Sequence, residues 1–189
     1  MRKKIFGAEH PSTLRSIANL ARIYADKGNL NGAEQLEVQV LDMRKKILGA
    51  EHPDTLIGMG NLARIYSSQG KWNEAEQLQV QVLDIRRKIL GEEHPETLNS
   101  MGNLAVTYSN QGKWNEAEQL EIQVLDMQKK LLGAEHPDTL ISMGNLVVTY
   151  SRQGKWNEAE QLEAQVLDIQ RKLLDTEDSD ILSNTGEVE

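Results

Sequence analysis

The stretch HPDTLIGMGNLARIYSSQGKWNEAEQLQVQVLDIRRKILG, residues 52–91, contains two amphipathic helical patterns on either side of Gly70. In the first pattern, apolar residues recur at steps of three and four, the spacing of one stripe along an α-helix. These residues are Leu56, Met59, Leu62, Ala63 and Tyr66. Pro53 suits the first helical position, and Gly70 suits a helix stop because glycine readily adopts the left-handed conformation. The pattern predicts a helix from Pro53 to the residues before Gly70.

The second pattern, residues 71–91, repeats this logic. Its apolar stripe consists of Ala75, Leu78, Val82, Ile85 and Ile89, and Gly91 ends it. Asn73 followed by Glu76 has the spacing of a capping box, which predicts Asn73 as the N-cap. The whole stretch therefore predicts a helix hairpin, with a helix A and a longer helix B.

The hairpin recurs every 42 residues. Histidine precedes proline at His10, His52, His94 and His136, and residues 53–94 share 29 of 42 identities with residues 95–136. A hairpin with two apolar stripes must bury them against its neighbours, so such repeats stack. The predicted fold class is all-α, a right-handed solenoid of four stacked helix-turn-helix repeats. We place the repeats at 11–52, 53–94, 95–136 and 137–175.

The two ends of the sequence depart from the period. Residues 1–6, MRKKIF, match MRKKIL at 43–48, so we expect residues 1–10 to be the end of a preceding repeat. Residues 175–189 are acidic and keep little of the pattern, so we expect a degenerate fifth repeat or a disordered tail. One repeat domain over 1–174 is expected. The near-identity of the repeats is typical of a fragment of a longer array or of a consensus design.

Composition excludes several classes of function. The net charge is −8, which disfavours nucleic acid as a partner because phosphate binding needs a dense basic surface. No apolar run reaches the roughly 20 residues that a membrane crossing requires. Cysteine is absent, so disulfides and thiol catalysis are excluded. With no secretory signal pattern, the expected location is cytoplasmic.

The histidines and carboxylates indicate structure more than chemistry. Histidines on successive repeats cannot share one zinc ion, since zinc ligands lie about 2 Å from the metal and stacked helices about 8–10 Å apart. We interpret His52 and its copies as residues at helix starts. The acidic side chains of helix B recur in every repeat, unlike a unique active site. No metal, cofactor or enzymatic activity is predicted.

The spacing of Leu56, Met59, Leu62, Ala63, Tyr66, Gly70, Ala75 and Val82 resembles that of the tetratricopeptide repeat. The usual repeat has about 34 residues; the longer form here is similar to the repeats of kinesin light chains, nephrocystin-type proteins and the tails of fungal nucleotide-binding receptor-like proteins. The resemblance implies a concave groove lined by the A helices. Trp72, Trp114 and Trp156 are interpreted as packing at the turn between helices A and B, with peptide anchoring as the alternative.

An asparagine occupies the middle of every helix A, and we name the set the asparagine ladder: Asn19, Asn61, Asn103 and Asn145. Asparagine is a mediocre helix former. In the resembled family, asparagine at this offset hydrogen-bonds the backbone of an extended peptide, which suits an amide because it both donates and accepts. The alternative is that these amides bridge neighbouring A helices.

Residues around the ladder vary between repeats and are candidates for specificity. The candidates are Arg15, Arg22 and Arg64 in the first two repeats, and Val106, Ile141, Val148 and, at the edge, Arg152 in the last two. They predict a protein or peptide partner that pairs acidic with apolar or aromatic residues. The competing function is a structural spacer, or an array that forms a homo-oligomer through exposed solenoid ends.

Overall fold

A computed structural model describes the backbone of residues 7 and 9–185, and the side chains of residues 7 and 9–175. Within this range the chain forms helices and no strand. The A helices are α1 (Pro11–Asp26), α3 (Pro53–Ser68), α5 (Pro95–Asn110) and α7 (Pro137–Gln153). The B helices are α2 (Leu30–Leu48), α4 (Trp72–Leu90), α6 (Trp114–Leu132) and α8 (Trp156–Thr185). The predicted alternation of helices A and B is confirmed. The expectation for residues 1–6 and 8 lies outside the described residues.

The chain divides into two compact units, Met1–Gln111 and Gly112–Glu189. In unit 1, α1 packs on α2, α2 on α3, α3 on α4, and α4 on α5. In unit 2, α6 packs on α7 and α7 on α8. Within each unit, every helix thus packs on the helices that precede and follow it in the chain. A single domain over 1–174 stays a prediction.

The apolar stripes form the core of each unit. In unit 1, Leu41 of α2 meets Leu56, Met59 and Leu62 of α3, and Val82 of α4 closes the cluster. In unit 2 the core cluster consists of Leu125, Met143, Leu146, Leu162 and Val166. Most of the positions that the spacing of three and four predicted are buried or partly buried, because that spacing selects one face of a helix. Ile89, in the last turn of α4, is the exception and is 50% exposed.

Helix A begins at the histidine in every repeat. The Nδ1 atoms of His10, His52, His94 and His136 each accept a hydrogen bond of 3.1 Å from the backbone N–H two residues later. This contact satisfies one of the backbone donors that a helix start leaves without an intrahelical partner. The interpretation of the histidines as helix-start residues is confirmed.

The connector between repeats is held by a buried threonine. The Thr97 hydroxyl, which is fully buried, donates a hydrogen bond of 2.8 Å to the carbonyl oxygen of Gly91. Gly91 ends α4 with φ at 89°, a conformation that favours glycine. The same bond joins Thr13 to Gly7, Thr55 to Gly49 and Thr139 to Gly133. The chain between a helix B and the next helix A is therefore closed into one repeated loop.

One local prediction was wrong. Asn73 does not cap α4, since the N-cap is Lys71 and no side chain caps that helix; the Asn73 Oδ1 atom instead accepts a hydrogen bond from Gln111. The final helix continues to Thr185, into the segment 175–189 that was expected to be a degenerate fifth repeat or a disordered tail. Asp175 stands where the other B helices end in glycine, and Ser179 where the other repeats have proline, so nothing there stops the helix. Residues 186–189 lie outside the described range.

We expect Thr97→Val to lower the free energy of unfolding by about 1 kcal/mol, because the valine keeps the shape and leaves the Gly91 carbonyl without its donor. Thr107→Val is the matched control. Thr107 is equally buried, but its hydroxyl bonds the Asn103 carbonyl of its own helix, which a helical N–H already satisfies. Urea unfolding followed by circular dichroism measures both. Equal losses in the two variants would contradict the connector bond.

Candidate functional site

A groove in unit 1 is the main candidate site. Its volume is about 450 Å³, its walls are α3 and α5, and its floor is α4. Four predicted residues line it, namely Asn61, Arg64, Asn103 and Val106. Asn99, Asn110 and Ile57 complete the walls, while Gln79, Val82 and Arg86 form the floor. The structure thus brings ladder, arginine and apolar candidates to one surface.

The other predicted residues lie outside this groove. Arg15 lines a smaller cavity of about 280 Å³, beside Arg44 and Asp54. Asn19 and Arg22 are exposed on α1. In unit 2, Asn145, Ile141 and Val148 are exposed on α7, and the Arg152 guanidinium lies 5.8 Å from the centroid of the Trp114 ring.

Asn61 is held by a helix B. Its Nδ2 atom donates a hydrogen bond of 3.5 Å to the Oε1 atom of Glu37 on α2. This partner differs from the alternative in which ladder amides bridge neighbouring A helices. Because the amide nitrogen points to Glu37, the Asn61 carbonyl is oriented by the fold.

Each helix B carries two polar residues seven positions apart, and we name them the floor pair because those of α4, Gln79 and Arg86, line the floor of the groove. In unit 1 the first pair is Glu37 and Arg44, both buried, and Arg44 donates to the Asp54 carbonyl at 3.0 Å. Burial raises the pKa of Glu37, and the hydrogen bond from Asn61 and the charge of Arg44 oppose that rise. The next pair is Gln79 and Arg86.

Arg86 is anchored to the following helix A. It forms an ion pair with the Glu96 carboxylate and donates a hydrogen bond of 2.7 Å to the Ser100 hydroxyl. Its guanidinium also bonds the Glu96 carbonyl at 3.1 Å. The floor arginines therefore bind α3 and α5, the helices that also carry the ladder.

The third pair, Glu121 and Gln128 of α6, has no arginine. Glu121 is 6% exposed, and burial raises its pKa to about 7. A hydrogen bond from Thr149 lowers that pKa, and the neighbouring Glu118 raises it. Among the described residues, Oε2 of Glu121 and Oε1 of Gln128 lack a hydrogen-bond partner.

A contact that the sequence analysis missed joins successive repeats, and we name it the amide–carboxylate latch. Gln69 Nε2 donates to Glu34 Oε2 at 2.8 Å and to Asn31 Oδ1 at 3.3 Å. Lys71 adds an ion pair of 2.9 Å to Glu34. The hydrogen bonds from Lys71 and Gln69 hold the pKa of Glu34 below its usual value.

The latch recurs through the chain. Gln111 bonds Glu76 at 2.8 Å in unit 1, and Gln153 bonds Glu118 at 2.8 Å in unit 2. The recurrence of Gln-Gly-Lys at 69–71, 111–113 and 153–155 was a visible signal. The motif did not identify the partner of the glutamine, because the two halves of the latch are 35 residues apart in the chain.

Within the described range, no helix combines the length and apolarity needed to span a bilayer. The tryptophans differ in exposure: Trp72 and Trp114 are partly buried, and Trp156 is 67% exposed. Packing at the turn is therefore least complete at Trp156.

The fold and the groove define a helical-repeat interaction scaffold, and comparison with known proteins identifies its family. Sequence models of the tetratricopeptide repeat match residues 13–54, 38–88, 54–130 and 111–172. The chain belongs to the tetratricopeptide repeat family. Comparison with curated proteins gave no match.

Solved structures agree with this assignment. The nearly identical TPR-like repeats of a Podosopora anserina protein assigned as a kinesin light chain share 40% identity, with a TM-score of 0.81, over 91% of this chain and 82% of that one. A variant of the same protein with one glutamine replaced by methionine gives 39% identity and a TM-score of 0.83, over 92% and 82% of the two chains.

BtubC (BKLC) from P. vanneervenii is a more distant structural relative. It shares 20% identity over 85% of this chain and 64% of that one, with a TM-score of 0.77, and so supports the fold alone. Together these structures confirm the all-α repeat solenoid as the fold class. The resemblance to kinesin light chain repeats is also confirmed.

We expect Glu121→Gln to stabilise the protein at pH 8 and to have little effect near pH 4.5. The folded-state pKa of about 7 lies above the unfolded value of 4.5, so wild-type stability is lost as pH rises between them. The full loss is on the order of 3 kcal/mol, from 1.36 kcal/mol for each pKa unit.

Urea unfolding of both proteins at pH 4.5 and pH 8 measures this difference. Glu37→Gln is the control, because the hydrogen bond from Asn61 and the charge of Arg44 oppose the rise in the pKa of Glu37. This variant should therefore gain less stability at pH 8 than Glu121→Gln. A Glu121→Gln protein that gains no stability relative to wild type at pH 8 would show that the carboxyl is not desolvated.

Proposed function

We propose that the chain binds an extended peptide in the groove of unit 1, acting as a protein–protein interaction scaffold. The observation that carries this proposal is the lining of the groove, where the amides of Asn61, Asn99 and Asn103 lie with the arginine Arg64 and two exposed apolar side chains. Tetratricopeptide repeats are scaffolds of this general kind.

The amides suit a peptide main chain. Each asparagine offers a donor and an acceptor, which is the complement of a peptide unit whatever its side chain. Asn61 is already oriented by Glu37, so less conformational entropy is lost when its carbonyl accepts a peptide N–H. Gly60 lines the groove beside it, and a Cβ there would meet nothing within 4 Å. The backbone of a ligand therefore has room to approach.

The other residues that line the groove indicate which kinds of side chain the ligand carries. Arg64 is exposed at the groove wall and can hold a carboxylate with two parallel hydrogen bonds. Ile57 is 49% exposed and Val106 is 47% exposed. Covering either side chain with an apolar or aromatic residue of the ligand is therefore favourable, because it removes apolar surface from water. The proposed ligand pairs an acidic residue with an apolar or aromatic one.

We expect peptides with acidic and aromatic residues to bind wild type, and Asn103→Ala and Arg64→Glu to weaken that binding about tenfold or more. Asn103 is the cleaner ladder variant, since removing Asn61 would also deprive Glu37 of its hydrogen bond. An array of immobilised extended peptides, varied in acidic and aromatic content, measures the change.

Lys27→Glu is the control for Arg64→Glu. It makes the same change of charge at an exposed residue outside the groove lining. Circular dichroism must show unchanged helicity in all variants. Peptides that bind Arg64→Glu and Asn103→Ala as tightly as wild type would exclude the groove as the receptor.

Self-association is the second candidate function, favoured by two exposed apolar faces. Leu20 and Ile23 of α1 are 40% and 45% exposed, whereas Leu62 and Ile65, at the same repeat positions of α3, are 4% and 3% exposed. Leu167 of α8 is likewise 47% exposed, against 3% for its equivalent Leu83. A second copy stacking α8 on α1 would reproduce the contact between repeats.

If self-association is the function, mass measured by light scattering should rise with protein concentration, and Leu20→Glu with Leu167→Glu should abolish the rise. The charged residues oppose burial at both faces. Leu174→Glu, at a position 61% exposed near the end of the described side chains, is a control outside the core of this contact. Constant mass over the accessible concentrations would exclude this function.

A further inference from the structure

The floor pair of unit 1 shows what a buried glutamate needs at this place in the repeat. A Cβ built at Gly58 would lie 3.3 Å from Nη1 of Arg44 and 3.6 Å from Oε1 of Glu37. The two side chains, which start two turns apart on α2, therefore converge on one spot of α3. The guanidinium of Arg44 supplies charge and donors to that spot.

Unit 2 has the equivalent repeat positions, but no arginine stands among them. Glu121 and Gln128 occupy the positions of Glu37 and Arg44, and Ser142 that of Gly58. Glu121 is 6% and Gln128 8% exposed. Oε2 of Glu121 and Oε1 of Gln128 have no hydrogen-bond partner within the described residues. Both atoms are acceptors, and buried acceptors without donors cost free energy.

The charged groups nearby do not replace the missing arginine. On α6, Glu118 adds negative charge next to Glu121. On α7, Thr149 donates a neutral hydrogen bond, and the cation of the last turn, Arg152, lies over the Trp114 ring. Lys155 is paired with Glu118 at 2.6 Å. The Gln128 side chain is shorter than arginine and carries no charge.

This place in the repeat faces the peptide side of the fold. Gln79 and Arg86, at the corresponding positions of α4, both line the groove of unit 1. Glu121 and Gln128 lie on the same face of α6. The pair thus combines two buried acceptors, one of them a carboxyl, at the repeat positions that line the groove in unit 1.

We propose that Glu121 and Gln128 form an acceptor site for a guanidinium group, the side chain of an arginine in a bound peptide. The ligand's guanidinium takes the place that Arg44 occupies in unit 1. A guanidinium carries five N–H donors in a rigid plane and no acceptor, so it can satisfy the carboxylate and the amide carbonyl together. The inference rests on peptide binding as the proposed function, and it adds a basic residue to the ligand.

The probe is L-argininamide, titrated into protein labelled with ¹³C at the glutamate carboxyls and observed by NMR. We expect a saturable shift of the Glu121 resonance and a lower titration midpoint for that carboxyl. Glu37 is the internal control, because Arg44 already occupies its site. L-citrullinamide, the neutral isostere, should shift neither resonance.

Binding should depend on pH. A cation favours the ionised carboxyl, and with a midpoint at about 7 the ionised fraction rises about tenfold from pH 6 to pH 8. The affinity for L-argininamide should rise by about the same factor. Glu121→Gln should abolish both the binding and its pH dependence.

Gln128→Arg tests the geometry. This variant copies the Glu37–Arg44 pair, fills the site from within the chain, and should weaken L-argininamide binding by at least about tenfold. Gln123→Arg is the matched control, since it adds the same charge at an exposed position of α6 and should bind nearly as wild type.

Two results would overturn the proposal. One is equal shifts of Glu37 and Glu121 with L-argininamide; the other is wild-type affinity in Gln128→Arg. Both readouts test Glu121 and Gln128 of unit 2 and need no peptide, so they are separate from the peptide array, which tests Asn103 and Arg64 of unit 1. The arginine site and the unit 1 groove can therefore fail independently.

Discussion

The structure depends on the way each helix B is joined to the next helix A. Over a short connector the chain must end one helix and start another that packs on it. A glycine with positive φ ends helix B, a histidine caps helix A, and a buried threonine bonds the glycine carbonyl, as Gly91, His94 and Thr97 show. Because the loop is the same in every repeat, each hairpin meets the next in a similar geometry within its unit.

That geometry buries polar side chains at positions where apolar residues would pack without a desolvation cost. The floor pairs lie beneath the following helix A, and burying charge there is favourable only with a partner. Glu37 and Arg44 of unit 1 meet this condition through each other and through Asn61 and Asp54. The repeats are nearly identical in core and loop, so variation at the floor changes local charge without changing the fold.

The same positions connect stability with function. Arginines of the floor bind the helices that carry the asparagine ladder, so they set where the amides lie. The latch of Gln69, Lys71 and Glu34 acts at the other end of the A helices and also joins one repeat to the next. Neither set belongs to the apolar stripes that made the repeats recognisable. Specificity in this family member is therefore expected from polar contacts between repeats.

Sequence alone determined the period, the two helices of each repeat and their buried faces, because helical spacing and the glycine and proline signals are local. It also indicated the caps at His52 and its copies, and it placed Asn61, Arg64, Asn103 and Val106 as candidates that share one groove. Local signals did not predict where α8 ends, because the glycine and proline that follow the other B helices are absent there.

Only the tertiary structure decided which polar groups are partners. Asn61 and Glu37 are 24 residues apart, and Gln69 and Glu34 are 35 apart. Their contact depends on how one hairpin rests on the next, and a periodic pattern is the same for any such stacking. The burial of Glu121 without a cation is likewise visible only in the tertiary structure, because Glu37, the glutamate at the equivalent position of another repeat, has the cation of Arg44 beside it. The physical reason is that desolvation is a property of the assembled interface and not of the residue.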